Sequence, residues 1–260
     1  EMQIQAIPVF RDIYILRKGM LEALSDYAVR ADQLLHMDYG NGILSGCRLT
    51  TTKDQIILNE GTLFLDGQIL LIKEPMETAY YPTNTTTVLK IHVSGEQMKD
   101  SLLYREMELM LTEETELGKG ELELCRFKLQ EGAKLRYWYQ DFADRSTEFD
   151  TLNLIHAAYA AKGGSTLSPE ITEAFGEEML CMEELTPVDE SFCLQLLGQE
   201  QPVNPRMLAA YIERKGRKKL SDRSNPVLYQ ELARILEETR NSQGTGKGTQ
   251  QKKRWRMTIE

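Results

Sequence analysis

The sequence has 260 residues, of which 41% are hydrophobic and 27% are charged, and its net charge is −9. This composition predicts a globular protein with enough apolar material for one large or two small cores, and it excludes a wholly disordered chain. No apolar run approaches the roughly 20 residues of a bilayer span, and no basic flank leads into an apolar block at the start. We therefore expect neither a membrane span nor a secretory signal, and a location in the cytoplasm or in an assembled particle.

The charge is unevenly distributed. Residues 241–260 hold five basic side chains against Glu260 alone, so this tail carries +4 and the remaining chain carries −13. Binding of nucleic acid needs clustered Lys and Arg to neutralise phosphates, and an acidic body does not favour it. The tail is a candidate contact for an anionic partner through Lys252, Lys253, Arg254, Trp255 and Arg256.

The N-terminal segment, residues 1–39, carries a helical stripe. Apolar side chains recur at steps of three and four residues, at Ile13, Leu16, Met20, Leu24, Tyr27, Ala31 and Leu34. This spacing predicts a helix with one apolar face. Two interpretations remain open: the stripe packs against the chain's own sheet, or it forms the interface of a homo-oligomer.

From residue 40 to 144 the pattern changes to short strands. The run "TLFLDGQILLI" predicts a hairpin, because Asp66-Gly67 suits the two positive-φ positions of a type I′ turn. Flanking runs, including "LYREMELMLT" and "LRYWYQ", predict further strands, about eight in all. We expect an antiparallel β-sandwich or barrel.

From residue 145 to 240 the sequence predicts helices. Four dipeptides place a capping residue directly before a proline: Ser168-Pro169, Thr186-Pro187, Asn204-Pro205 and Asn225-Pro226. Such pairs start helices, since the cap accepts a free N–H and the proline has none to satisfy. The run "DTLNLIHAAYAAKGG", residues 150–164, predicts one helix more. The expected fold class is α+β: an N-terminal helix, the β domain, a bundle of about five short helices, and a flexible basic tail at 241–260.

The stretch "GTGKGTQ", residues 244–250, looks like the phosphate-binding loop of the adenylate kinases. A working loop of this kind follows a buried strand and opens a helix. Here an amphipathic helix pattern precedes it and only ten residues follow it. We interpret the stretch as part of a Gly/Ser/Thr/Gln-rich tail rather than as a nucleotide site.

No other motif nominates a catalytic, cofactor or metal site. Cys47, Cys125, Cys181 and Cys193 lack the spacing of a zinc site and the density of a disulfide scaffold, so we expect them buried and reduced. His36, His92 and His156 lie in three separate segments and form neither a zinc pair nor a triad by spacing. We expect no cofactor and no enzymatic activity.

One resemblance extends over residues 40–145. The phrase "GNGILSG" and the unit "DQIILNEGTLFLDGQILLI" resemble the β modules of phage tail-fibre and baseplate proteins, with matching residues at Gly42, Ser45, Gly46, Gly61, Asp66 and Gly67. The run "GELELCRFKLQEGAKLR" resembles the later strand pair of such modules. A β domain followed by helices is similar to the trimeric baseplate subunit of type VI secretion. The resemblance implies a structural part of a contractile or phage-tail-like particle, with other baseplate subunits as partners and a trimer as the favoured homo-oligomer.

Two alternatives come from other classes of protein. The first is a small-ligand or carbohydrate-binding β module, with a stacking platform of Tyr80, Tyr81, Tyr137, Trp138 and Tyr139. The second is an enzyme with a dispersed site at the junction of the β and helical domains. At that junction, however, we interpret Asp141, Asp144 and Arg145 as a capped and ion-paired turn rather than as a catalytic acid pair.

Overall fold

The computed structural model describes residues 7–10, 15–100 and 102–244. Its N-terminal helix consists of α1 (Lys18–Ser25), a π turn (Asp26–Arg30) and α2 (Ala31–Leu35). The first described residue of the predicted stripe is Leu16, and Ile13 lies outside the described residues. A π turn holds one residue more than an α turn, so it rotates the residues after it by about 100°. The predicted unbroken stripe is therefore wrong at both ends. Leu16 lies before the helix, whose N-cap is Arg17, and beyond Arg30 it is Leu35 rather than Leu34 that continues the face of Met20 and Leu24.

Thirteen strands lie among the described residues. In chain order they are β1 (Gly42–Gly46), β2 (Leu49–Thr51), β3 (Gln55–Leu58), β4 (Gly61–Leu65), β5 (Gln68–Ile72), β6 (Met76–Ala79), β7 (Thr87–Val93), β8 (Gln97–Lys99), β9 (Leu102–Tyr104), β10 (Met107–Thr112), β11 (Glu121–Phe127), β12 (Tyr159–Ala161) and β13 (Gly164–Thr166). They form a five-stranded sheet β13-β12-β1-β4-β5, two three-stranded sheets β10-β7-β11 and β2-β3-β6, and the ribbon β8-β9.

One apolar core joins the five-stranded sheet to the two three-stranded sheets. Ile43 and Leu63 contribute from the first sheet, Ile56 from the β3 sheet, and Leu89 and Leu124 from the β7 sheet. The pairing is antiparallel throughout except between β1 and β12. The β4–β5 hairpin forms as predicted, because Asp66 and Gly67 both take positive φ, at 51° and 78°.

The segment 150–164 does not form the predicted helix. It contains β12, which pairs with β1 through Ile43 and Tyr159 and with β13 on its other side. Ala157 and Ala160 are fully buried in this segment. Its alanines favour a helix locally, but pairing with β1, more than a hundred residues earlier, outweighs that small preference.

The helical half consists of α3 (Pro169–Leu180), α4 (Pro187–Leu197), α5 (Pro205–Gly216) and α6 (Asn225–Gly244). All four helices begin at the predicted dipeptides, and the α+β fold class is confirmed. Thr186 and Asn204 cap α4 and α5 with their side chains. The Ser168 side chain makes no cap hydrogen bond, and Asn225 instead donates to the carbonyl oxygens of Ala157 and Thr166.

Residues 142–157 connect the β core to the helical core. Leu152 and Ala157 pack in the β core, whereas Phe142 and Ile155 pack among the helices. The ring of Phe142 stacks on Tyr229 of α6 with 4.7 Å between centroids. The β domain and the helical domain are therefore joined by a segment that packs in both cores.

Candidate docking surfaces

The N-terminal helix lies in solvent along its whole described length. None of the residues of α1, the π turn and α2 is buried. Met20 is partly buried. The other large apolar side chains of the helix, and those just before and after it, are between 48% and 82% exposed: Ile15, Leu16, Leu21, Leu24, Tyr27, Val29, Leu34, Leu35 and Met37. The interpretation in which the stripe packs on the chain's own sheet is therefore wrong in the isolated chain: α2 contacts β5, but no residue of α1, the π turn or α2 is buried.

Two pairs of charged side chains lie within this helix. Lys18 lies 3.1 Å from Glu22, and Arg30 lies 3.2 Å from Asp26, each pair one turn apart. Pairs of this spacing stabilise a helix by about 0.3 kcal/mol. A third acidic residue, Asp32, lies 3.4 Å from the ring of His36, which follows α2. The polar face is thus satisfied within the helix, whereas the apolar face is not.

The outer face of the five-stranded sheet is only partly covered. Leu44, Phe64 and Ala160 form a small cluster there, and the rings of His36 and Tyr39 lie 6.3 Å and 6.4 Å from the ring of Phe64. Leu71, on the edge strand β5, points to the same face and is 54% exposed. The apolar helix thus ends beside an apolar sheet edge.

A second exposed apolar element is the ribbon β8-β9, and the sequence pattern did not reveal it. The predicted strand "LYREMELMLT" divides at Arg105 and Glu106 into β9 and β10. All six residues of the ribbon strands are exposed, and Met98 pairs with Leu103 on one of its faces. These side chains are recognised as a surface because they lie outside the core, and this is visible only in the three-dimensional fold.

The five aromatic residues of the predicted platform do not come together. Tyr80 is buried, and its hydroxyl donates to the carbonyl oxygen of Thr52 at 2.9 Å. The hydroxyl of Tyr139 donates to the carbonyl oxygen of Leu152 at 2.5 Å. Tyr81 lines a separate depression beside Glu113. The predicted strand "LRYWYQ" is irregular apart from one bridge at Arg136.

Tyr137 and Trp138 line a cleft of about 460 Å³ together with Lys53, Lys134 and Arg136. The guanidinium carbon of Arg136 lies 4.7 Å from the ring centroid of Trp138. Trp138 is 55% exposed. This cleft retains two members of the predicted platform and has a positive rim.

At the junction, the acidic residues are engaged with neighbours. Asp144 accepts hydrogen bonds from Arg136 at 2.6 Å and from the hydroxyl of Thr147 at 2.7 Å, and Asp141 accepts one from the backbone N–H of Asp144 at 2.8 Å. The bond from Arg136 is the main reason that the pKa of Asp144 lies well below its ordinary value. The geometry agrees with a capped, ion-paired turn.

Among the described residues no group of three His, Cys, Asp or Glu side chains is placed to hold a metal ion. Burial lowers the pKa of His156 to about 4, with a smaller contribution from Arg126. Three cysteines are buried as predicted, but Cys181 at the end of α3 is exposed, because it follows the last buried turn of that helix. The tail residues 252–256 and the stretch after Gly244 lie outside the described residues.

In the part of the chain that the structure describes, no helix is long and apolar enough to cross a membrane. No protein-family model matches the sequence, and no curated protein matches it.

Among solved structures, the chain is similar to a crystal structure of TssK, with 12% sequence identity and a TM-score of 0.44 over 91% of this chain and 69% of that one. It is similar to a chain of the TssK-TssF-TssG baseplate subcomplex of the type VI secretion system, with 9% identity and a TM-score of 0.40 over 91% of this chain and 100% of that one. A chain of the type VI baseplate complex matches with 9% identity and a TM-score of 0.42, over 91% and 70% of the two chains.

Proposed function

We propose that this chain is a non-enzymatic assembly subunit of a phage-tail-like or contractile-injection baseplate. It forms a homo-oligomer, with a trimer favoured, through its N-terminal helix. Its β domain and helical domain bind neighbouring subunits. The observation that carries this proposal is the apolar N-terminal helix, which has no buried residue in the single chain.

A helix of this kind needs a partner. The segment Lys18–Leu35 is about 27 Å long at 1.5 Å per residue, and most of the stability of a helix in a protein comes from packing of its apolar face. Contiguous exposed apolar surface on a protein of this size marks an interaction site. Four of the charged groups of the helix pair within it, and Asp32 lies beside His36, so a copy of the same helix meets few unpaired charges. These features favour self-association over contact with a charged partner.

The assignment to a baseplate is supported by the turns that carry the sequence resemblance. Gly46 takes φ 64° at the end of β1 and pairs with Gly61 of β4. A Cβ atom on Gly61 would lie 2.3 Å from the backbone nitrogen of Cys47. The phrase thus encodes a close approach of two strands that only glycine permits, which makes it more than a generic run of turn residues.

The non-enzymatic part of the proposal is supported by how the candidate acids are bonded. A catalytic acid pair needs carboxylates that face a substrate and have tuned pKa values. Asp144 instead accepts bonds from Arg136 and Thr147, which lower its pKa, and Asp141 caps the following turn.

Hydrogen exchange of the backbone amides in Lys18–Leu35 tests the proposal. If the helix is covered in an oligomer, these amides exchange slowly in the purified full chain, because opening then requires dissociation. A variant with Leu16→Glu and Leu24→Glu loses this protection. The matched control, with Leu194→Glu and Leu197→Glu on the exposed side of α4, keeps it. Rapid exchange in the unmodified protein at millimolar concentration would contradict the proposal.

A second candidate function is ligand binding at the cleft of Trp138. An exposed tryptophan beside Lys53 and Lys134 suits a saccharide or another flat ligand that stacks on the ring. With Trp255→Phe, Trp138 is the remaining tryptophan, so its fluorescence reports the cleft directly. A saturable change with neutral or acidic oligosaccharides, lost in Tyr137→Ala, would favour this candidate.

A further inference from the structure

We propose that one face of the ribbon β8-β9, formed by Met98 and Leu103, packs against the N-terminal helix of a second copy of this chain. The other face, with Leu102 and Tyr104, is interrupted by the polar Gln97 and Lys99. The inference rests on the proposed function, since it supplies a second component of the same oligomer interface. Within a single chain this face of the ribbon is exposed to solvent, and the proposal gives it a partner in the oligomer.

The ribbon needs a partner of its own. Two strands of three residues without further neighbours are at best marginally stable in water. Its strands pair at Gln97 with Tyr104, Met98 with Leu103 and Lys99 with Leu102. Met98 and Leu103 therefore share one face, and they are 73% and 53% exposed. A covering surface on that face would stabilise the ribbon and remove two large apolar side chains from water.

The base of the ribbon is held firmly. The backbone N–H of Ser94 donates to the carbonyl oxygen of Glu106 at 2.9 Å, and the hydroxyl of Ser94 accepts from the N–H of Glu106 at 2.8 Å. Arg105 pairs with Glu96 directly below the strands. These contacts fix the orientation of the ribbon relative to β7 and β10.

The ribbon and the helix flank the same edge of the five-stranded sheet. Gln68, the first residue of β5, donates to Glu96 at the base of the ribbon at 3.3 Å. The end of α2 lies against the same strand. Both elements therefore contact β5, the edge strand of the sheet, on which Leu71 is exposed. A second copy that covers the helix therefore approaches within reach of the ribbon.

The helix exposes more apolar surface than one helix–helix seam can bury. Met20 and Leu24 lie on one stripe of α1, whereas Leu21 lies about 100° further round at 100° per residue. Leu21 and Val29 are 49% and 54% exposed. A contact among equivalent helices covers the first stripe and leaves this second side in water, and the ribbon of a neighbour has the apolar face to cover it.

Cyclic symmetry allows the ribbon-to-helix contacts to form a closed ring. In a ring each copy offers its ribbon to one neighbour and its helix to the other, and the contacts are used up when the ring closes. A ribbon-to-helix contact of this type suits a trimer and does not require a two-fold axis.

Disulfide trapping between differently tagged full-length copies tests the contact. Met98→Cys is placed in one copy and Leu21→Cys or Val29→Cys in the other, both with Cys181→Ser, since Cys181 is the exposed native cysteine. We expect a disulfide-linked pair that carries both tags after mild oxidation. The control pairs Met98→Cys with Leu194→Cys on α4 and should give no linked product.

A second measurement keeps the inference testable if neither cysteine pair has suitable geometry. Met98→Ser with Leu103→Ser should weaken association at least tenfold, whereas Lys99→Ser with Leu102→Ser, on the opposite face of the same ribbon, should change it less than threefold. An oligomer of unchanged affinity in the first variant, without cross-links, would overturn the ribbon contact and leave the helix interface standing. A monomeric unmodified protein would instead overturn the oligomer proposal itself.

Discussion

The hydroxyl of Tyr211 on α5 donates a 2.8 Å hydrogen bond to Asp189, a carboxylate that is 1% exposed on α4. The other oxygen of Asp189 accepts from Lys215 at 2.9 Å and from the hydroxyl of Thr186 at 2.6 Å. Burial by itself would raise the pKa of Asp189, but these three donors lower it overall. This carboxylate ties two helices and a helix cap together.

Asp189→Asn should destabilise the protein by about 3 kcal/mol, because it leaves Lys215 without its buried partner and disturbs the cap of α4. Tyr211→Phe removes one neutral donor and should cost about 1 kcal/mol. Urea unfolding followed by circular dichroism measures both values. Equal effects of the two variants would show that the charge of Asp189 contributes nothing beyond its bond to Tyr211.

Gly46 and Gly67 form a matched pair for testing the strand turns. Both take positive φ, at 64° and 78°. A Cβ at Gly67 has no atom within 4 Å, whereas one at Gly46 would lie 2.4 Å from the carbonyl oxygen of Glu60. Gly67→Ala should therefore cost only the backbone strain, about 1 kcal/mol, and Gly46→Ala more than about 2 kcal/mol. Unfolding free energies that are equal for the two variants would contradict this account of the phrase "ILSG".

The bond from Arg136 to Asp144 predicts a specific dependence of stability on pH. The pKa of Asp144 is lower in the folded protein than in the unfolded chain, where it is roughly 4. The stabilisation is therefore complete above that pH and is lost as the pH falls towards the folded pKa. Asp144→Asn should be less stable than the unmodified protein at pH 6, and the difference should shrink below about pH 4. A difference that stays constant between pH 6 and 2.5 would exclude this ion pair as its cause.

The cysteines should differ sharply in reactivity. Burial raises the pKa of the Cys47 and Cys193 thiols to about 12, and it raises that of Cys125 further. Since the thiolate is the reactive form, a maleimide should label Cys181 alone in the folded protein at pH 7 and all four cysteines after unfolding. Mass spectrometry of the labelled protein counts the adducts. Native labelling of Cys47 at a comparable rate would show that β1 opens readily.

Local signals were enough to predict the hairpin at Asp66 and Gly67 and all four helix starts after residue 168, because turn and cap chemistry depends on neighbouring residues. They failed for residues 150–164, where the pairing partner of Tyr159 is Ile43. They also failed for the π turn at Asp26–Arg30, which no simple periodicity marks. The ribbon at Met98 and Leu103 was missed for a further reason: alternating residues indicate a strand but not what covers it.

The absolute mass of the purified protein in solution, measured by light scattering over a hundredfold range of concentration, tests the central claim most directly. The account predicts a closed oligomer, a trimer of the 29.8 kDa chain, whose mass does not change over that range. It further predicts a smaller mass when Leu16 and Leu24 are replaced by glutamate. A monomer of 29.8 kDa at every concentration would contradict the account and leave the apolar helix without its proposed role.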